Sequence, residues 1–174
     1  QEYIQPLIGG KPMSSDKVKF YTIRGYALLR REDALTPSME DYLEMAYRLF
    51  RERGYIRIGD LACSLNVQPS SASKMVRKLS EMDYLKYEKY GVIEFTSRGR
   101  ELGNYLLQRH GAIEEFLMLI GVKEGILEET EKIEHNIREE TVDRIKILVE
   151  FMRNNHKRLL EFKEFLEKRL NTPT

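Results

Sequence analysis

Between Thr130 and Asn136 the chain reads Thr-Glu-Lys-Ile-Glu-His-Asn. On a helix, Glu131, Glu134 and His135 fall at i, i+3 and i+4, which is one face. Two carboxylates and an imidazole on one face form a partial site for a divalent cation of borderline hardness. Three ligands rarely hold such an ion alone, so further donors must come from elsewhere. The chain has 3 histidines. His110, in Gln-Arg-His, is one candidate source, and the carboxylate pair of Asp41-Tyr-Leu-Glu44 is another. A plainer reading stands beside this one: in a chain with 33% charged residues, such groups are commonly solvated helix surface.

The elements that position these residues follow from the rest of the chain. With 174 residues and 41% apolar content, it is long enough for a real core in one domain or two small ones. A net charge of +1 makes any nucleic-acid surface a local feature. The single cysteine, Cys63, excludes an intrachain disulfide framework and a cysteine-rich zinc module, and reads as a small buried hydrophobe. No apolar run approaches the roughly 18 residues of a membrane span, and no secretory signal is visible. A cytoplasmic protein without a membrane partner is expected.

Residues 1–35 read as an N-terminal extension. Its aromatic and basic residues between Phe20 and Arg31 suit either packing on the body or a partner chain, or a basic arm near DNA. Thr36-Pro-Ser-Met-Glu-Asp then opens a helix with a cap, a first-turn proline and early acids. Tyr42, Leu43, Ala46, Leu49 and Phe50 keep helical spacing, Asp41 and Glu44 fall together on another part of its surface, and Gly54 ends it.

Ile58 to Val67 and Gln68 to Leu79 read as two short amphipathic helices with a break at Asn66, the pattern of a helix-turn-helix. Leu61, Ala62, Leu65, Val67, Ala72, Met75, Val76 and Leu79 form the inward side. Pro69 suits the first turn of the second helix. The outer face carries Gln68, Ser70, Ser71, Ser73, Lys74, Arg77 and Lys78, with no acid in a chain that has 28. Small hydroxyl residues let backbone amides approach phosphates and base edges, and the cations add phosphate attraction. Tyr84 to Glu88 and Val92 to Thr96 read as a hairpin, which completes a winged helix. Lys89 and Tyr90 at its tip are either DNA contacts or plain turn residues.

A long helix follows from Arg100 to Ile120, broken at Gly121. Thr141 to Leu170 is a further helical stretch with a break near Asn154-Asn155. Its apolar residues, among them Leu148, Leu160, Phe165 and Leu170, exceed what one thin domain can bury. A dimer is expected, which suits a protein that reads two DNA half-sites. The fold class is mostly α with a small β-hairpin wing. A winged helix-turn-helix domain spans 36–100, and a helical metal-binding and dimerisation domain spans 101–174.

Taken in order, Thr36-Pro-Ser-Met-Glu-Asp-Tyr-Leu-Glu44, Gln68-Pro-Ser-Ser-Ala-Ser-Lys-Met-Val76, Tyr87-Glu-Lys-Tyr90, Arg109-His110, Ile120-Gly-Val122 and Glu131-Lys-Ile-Glu-His135 resemble the diphtheria-toxin-repressor family. Within it they are most similar to the branch of manganese transport regulators. The resemblance covers about residues 36–170. It implies a homodimer that binds double-stranded DNA at a palindromic operator and represses manganese-uptake genes when loaded with metal. It places metal ligands at Asp41, Glu44, His110, Glu131, Glu134 and His135, and it implies a pair of Mn²⁺ ions per subunit, with Fe²⁺, Zn²⁺ or Cd²⁺ as substitutes. DNA contacts are expected from Gln68, Pro69, Ser70, Ser71, Ser73, Lys74, Arg77, Lys78, Lys89 and Tyr90. The third, SH3-like domain of the iron-responsive branch is not expected.

Two other classes compete. A metal-independent or iron-responsive winged-helix regulator would keep the acidic cluster as structure alone. A dimetal enzyme in a helical bundle would need two Glu-x-x-His motifs, but Leu107, Lys132 and Arg153 stand three residues before the histidines. No enzyme and no small organic substrate are expected. Four carboxylates and two imidazoles without sulfur suit Mn²⁺, since softer donors favour later metals. Glu131→Cys should therefore move the response toward softer metals. The check is the metal ranking in a DNA-binding assay, and an unchanged ranking would contradict the hardness argument.

Overall fold

In the computed structural model, residues 35–87 and 92–170 are described. The N-terminal aromatic and basic residues and the hairpin tip with Lys89 and Tyr90 lie outside them. Helix α1 spans Pro37–Arg53. Thr36 caps it by accepting from the Met39 amide, Pro37 fills the first turn, and Gly54 ends it at φ 77°. That left-handed conformation carries little strain only for glycine. Tyr42, Leu43, Ala46 and Leu49 are buried, as the spacing predicts.

Strand β1 (Ile56–Arg57) leads into α2 (Ile58–Ser64), and α3 covers Pro69–Glu81. Asn66, at φ 53°, makes the turn between the two helices, a conformation in which asparagine is well tolerated. Leu61, Ala62, Ala72, Val76 and Leu79 point inward. Cys63 does not: it is exposed. Leu61 and Ala62 already fill the inward arc of a seven-residue helix, and the next position turns out of it.

Strands β2 (Leu85–Tyr87) and β3 (Val92–Phe95) form the expected wing pair, with Leu85 opposite Phe95 and Tyr87 opposite Ile93. Strand β1 joins the outer edge of β3, so the sheet has three antiparallel strands in the order β1-β3-β2. Two residues are too short to show alternation, which is why β1 has no signature in the sequence.

Helix α4 spans Ser97–Leu119, with the Thr96 side chain accepting from the Gly99 amide. It packs along α1 at one end and against α5 (Ile126–Glu134) and α6 (Glu139–Asn154) at the other. A break at Asn155 separates α6 from α7 (His156–Leu170). On α6 only Val142 and Val149 are buried and on α7 none, whereas Ile147, Leu148, Phe151, Leu160, Phe165 and Leu170 are exposed. No helix among the described residues is long and apolar enough to cross a membrane.

Two glycines of α4 show how closely it is seated. A Cβ on Gly99 would stand 1.8 Å from the Tyr84 carbonyl oxygen, and one on Gly111 would meet nothing within 4 Å. The same substitution should therefore have opposite signs. Gly99→Ala should destabilise by about 1–3 kcal/mol through overpacking against backbone. Gly111→Ala should stabilise by roughly 0.5–1 kcal/mol through helix propensity. Denaturant unfolding of both variants checks the pair.

Candidate metal centre and nucleic-acid face

The six candidate ligands come from three helices. Asp41 and Glu44 sit on the first half of α1, His110 on α4, and Glu131 and Glu134 on α5. His135 is the C-terminal cap of α5, still in right-handed helical geometry, so it keeps the face of Glu131 and Glu134. The structure brings all six together. Ligand atoms of Asp41, Glu131, Glu134 and His135 lie within 4.8 Å of one another, as do those of Glu44, His110 and Glu134. Glu134 belongs to both groups, and its side chain is 1% exposed. Nδ1 of His110 is 3.2 Å from Glu134, 3.7 Å from Glu44 and 3.8 Å from Glu131. Nε2 of His135 is 2.9 Å from Asp41 Oδ1, and that buried oxygen has no other hydrogen-bond partner among the described residues.

Glu44 departs from its expected place on the surface. It is 6% exposed, because α4 packs along α1 and the side chains of Arg48, His110 and Glu134 gather around its carboxylate. The third histidine, His156, is exposed at the start of α7 and takes no part.

Packing acids this closely perturbs them. Burial raises the Glu131 carboxyl above its usual range, and the charges of Glu134 and Asp41 push the same way. Burial also raises Glu44, and the hydrogen bond from Arg48 only partly offsets it. For His110, burial favours the neutral ring, but the bond to Glu134 and the charge of Glu44 outweigh it and the net direction is up. Contacts with Asp41 and Glu40 lift His135 to about 10 against its burial. Without metal, the surrounding acids thus favour the protonated imidazoles, which offset part of the carboxylate charge.

Glu40 was not among the expected site residues. Its Oε2 accepts from Nδ1 of His135 at 2.9 Å and from Arg109 at 2.8 Å. Burial works to raise this carboxyl, but those two partners outweigh it and hold it below its ordinary value. With Nδ1 engaged by Glu40, Nε2 of His135 is the nitrogen that faces the acids. A carboxylate behind the imidazole is the arrangement that orients metal-binding histidines. The sequence does hold a signal, Glu40 beside Asp41 and Arg109 beside His110, but neither side chain is a candidate ligand by type and spacing alone.

Of the residues expected to contact DNA, all but Lys89 and Tyr90 of the hairpin tip lie on α3 or at its start. Gln68 precedes it as the cap residue, Pro69 takes the first turn, and Ser70, Ser71, Lys74, Arg77 and Lys78 are exposed. Ser73 is half-buried, with its hydroxyl 3.4 Å from that of Tyr87 on β2.

Comparison with known proteins decides the family. The family described as "Iron dependent repressor, N-terminal DNA binding domain" matches residues 34–93. "Iron dependent repressor, metal binding and dimerisation domain" matches residues 96–171. The chain belongs to the iron-dependent repressor family. The resemblance read from the sequence holds, and members of this family are DNA-binding regulators, not enzymes. The HTH-type transcriptional regulator MntR of Shouchella clausii is 44% identical over 139 residues, covering 79% of this chain and 96% of that protein. MntR of Geobacillus kaustophilus is 47% identical over 125 residues, covering 71% and 89%. Among solved structures, that of the manganese regulator SloR is 30% identical with a TM-score of 0.58. It covers 67% of this chain, and this chain spans 55% of its length.

For an iron-dependent repressor, the donor set passes a chemical test of fit. Four carboxylates and two imidazoles, within reach of one another and almost without solvent at Glu134, match the needs of hard to borderline divalent cations.

The His135 arrangement makes a measurable statement about the metal-free protein. Its raised value means that the stability contributed by the protonated ring is complete below the ordinary value of 6.5 and is lost as pH rises through about 10. Glu40→Gln removes one of the two acceptors responsible. An NMR titration of the ring protons should then give a clearly lower pKa that stays above 6.5, because Asp41 remains. An unchanged value would show that Glu40 does not hold the ring.

Proposed function

We propose that this chain is a manganese-activated, homodimeric repressor of manganese-uptake genes, acting in the cytoplasm on a palindromic operator. The observation that supports it most is the convergence of six oxygen and nitrogen donors from three helices, without sulfur. In this reading Asp41, Glu131, Glu134 and His135 hold one Mn²⁺, and Glu44, His110 and Glu134 hold a second. The bound ions supply positive charge that cancels the mutual repulsion of the acids. Fe²⁺, Zn²⁺ and Cd²⁺ enter the same donors, because affinity at such sites rises along the series and selectivity rests on geometry.

The protein's own part is mechanical. Asp41 and Glu44 belong to α1, whose apolar face packs against α2 and α3. His110 and the α5 acids belong to the other half of the molecule. Holding α1 against α4 and α5 fixes where α3 stands relative to the dimer axis. In a homodimer this sets the spacing of two recognition helices over successive major grooves. On each α3, Gln68, Pro69, Ser70, Ser71 and Ser73 approach the bases and phosphates. Lys74, Arg77 and Lys78 add phosphate attraction, joined by Lys89 and Tyr90 of the wing. The exposed apolar residues of α6 and α7 are offered to the second copy.

The test is fluorescence anisotropy of a labelled duplex, selected from a random pool, at fixed salt with Mn²⁺ or with chelator. Coupling energies of the usual size predict an affinity about 5–150-fold higher with Mn²⁺. Glu134→Ala, which touches both donor groups, should abolish the difference. Equal binding with and without metal would leave a DNA-binding protein whose acidic cluster is only structural.

A further inference from the structure

The two donor groups differ in a charge that the family reading does not explain. Arg48 lies one turn beyond Glu44 on α1. Its Nε and Nη2 both donate to Glu44 Oε1, at 3.0 and 2.6 Å. This is the same oxygen that faces His110 Nδ1 at 3.7 Å. The carboxylate oxygen turned toward the Glu44–His110–Glu134 group is therefore already engaged by a cation. The other group is different. Among the described residues no lysine or arginine pairs with Asp41, Glu131 or Glu134, and Arg109 is spent on Glu40.

We infer that Arg48 is a built-in competitor for the second ion. The inference rests on the metal reading of the six-residue centre and adds an order of filling to it. The Asp41–Glu131–Glu134–His135 group fills first, and the Glu44 group fills at higher Mn²⁺ concentration. The reason is electrostatic. A guanidinium stays charged at any physiological pH. A dication at Glu44 must share that oxygen's neighbourhood with it in a mostly buried pocket, where like charges are poorly screened. The arginine is able to leave. Its side chain is 32% exposed, whereas that of Glu44 is 8% exposed. Glu52, one turn further along α1, lines the same surface pocket and offers an acceptor for the displaced guanidinium.

The experiment titrates the full metal-free chain with Mn²⁺ at fixed pH and salt. Calorimetry gives the steps, and low-temperature electron paramagnetic resonance reports coupling between neighbouring Mn²⁺ ions. Arg48→Met keeps the length of the side chain and removes its charge, and Arg48→Lys keeps the charge and removes the fork. For the wild-type chain we expect a tight first step and a weaker second step. In Arg48→Met the second step should tighten by about tenfold or more, with the coupled-pair signal appearing at lower Mn²⁺ and the first step unchanged. Arg48→Lys should behave like wild type. Two-ion uptake that Arg48→Met leaves unchanged or weakens would overturn the inference alone, since the guanidinium would then be indifferent or supportive. Absence of Mn²⁺ uptake by all three proteins would overturn the metal centre itself and the inference with it.

Discussion

Acids held together out of water are the constraint around which this molecule is arranged. Glu134 is 1% exposed, Glu44 is 6% exposed, and His110 between them is 3% exposed. Ionised groups so placed are costly unless they are paired. The fold supplies partners in two ways. Protons on His110 and His135 balance part of the charge, and Arg48 and Arg109 balance Glu44 and Glu40. His110, His135 and Arg109 each make a contact between two of α1, α4 and α5, whereas Arg48 pairs within α1, so the junction of the three helices is electrostatic as well as apolar.

Helix α4 carries that junction to the rest of the protein. At its first turn Gly99 lies against the Tyr84 backbone at the base of the wing, and Gly103 lies against the Tyr47 ring of α1. Three turns later the same helix presents Arg109 and His110 to Glu40 and Glu134. One rigid element thus touches the sheet, the first helix and the acidic cluster. Rotation or translation of packed helices is the kind of movement such a rigid connection supports. Packed interiors deform little, so small shifts at the cluster become shifts of whole elements.

The exposed apolar side chains of α6 and α7 belong to the same logic. Helix α6 packs on α4, where Val142 and Val149 are its buried residues, and α7 packs on α6. Phe151 and Phe165, at 50% and 58% exposure, are more apolar surface than two thin helices need for packing on the body. The family's metal-binding and dimerisation domain matches this part of the chain.

Local rules were sufficient for much of this architecture. Thr36, Pro37 and Gly54 bound α1, Asn66 makes the turn before α3, and Asn155 divides α6 from α7, because caps, first-turn prolines and left-handed positions are decided by a few neighbouring residues. The spacing of Glu131, Glu134 and His135 placed them on one face for the same reason. What spacing cannot carry is distance across the chain. That Glu134 serves two groups, that Glu44 is buried and not on the surface, and that Glu40 stands behind His135, 95 residues away, all follow from how three helices pack. Cys63 is exposed despite its apolar character because the inward arc of a short helix holds few residues, and packing decides which. Strand β1 was missed because two residues pair only when β3 is beside them. The sequence by itself determined the main helices, the donor types and the basic, acid-free face of α3. Tertiary structure decided which donors lie within reach of one another and that Arg48 already pairs with Glu44, because only packing sets the distance between charges.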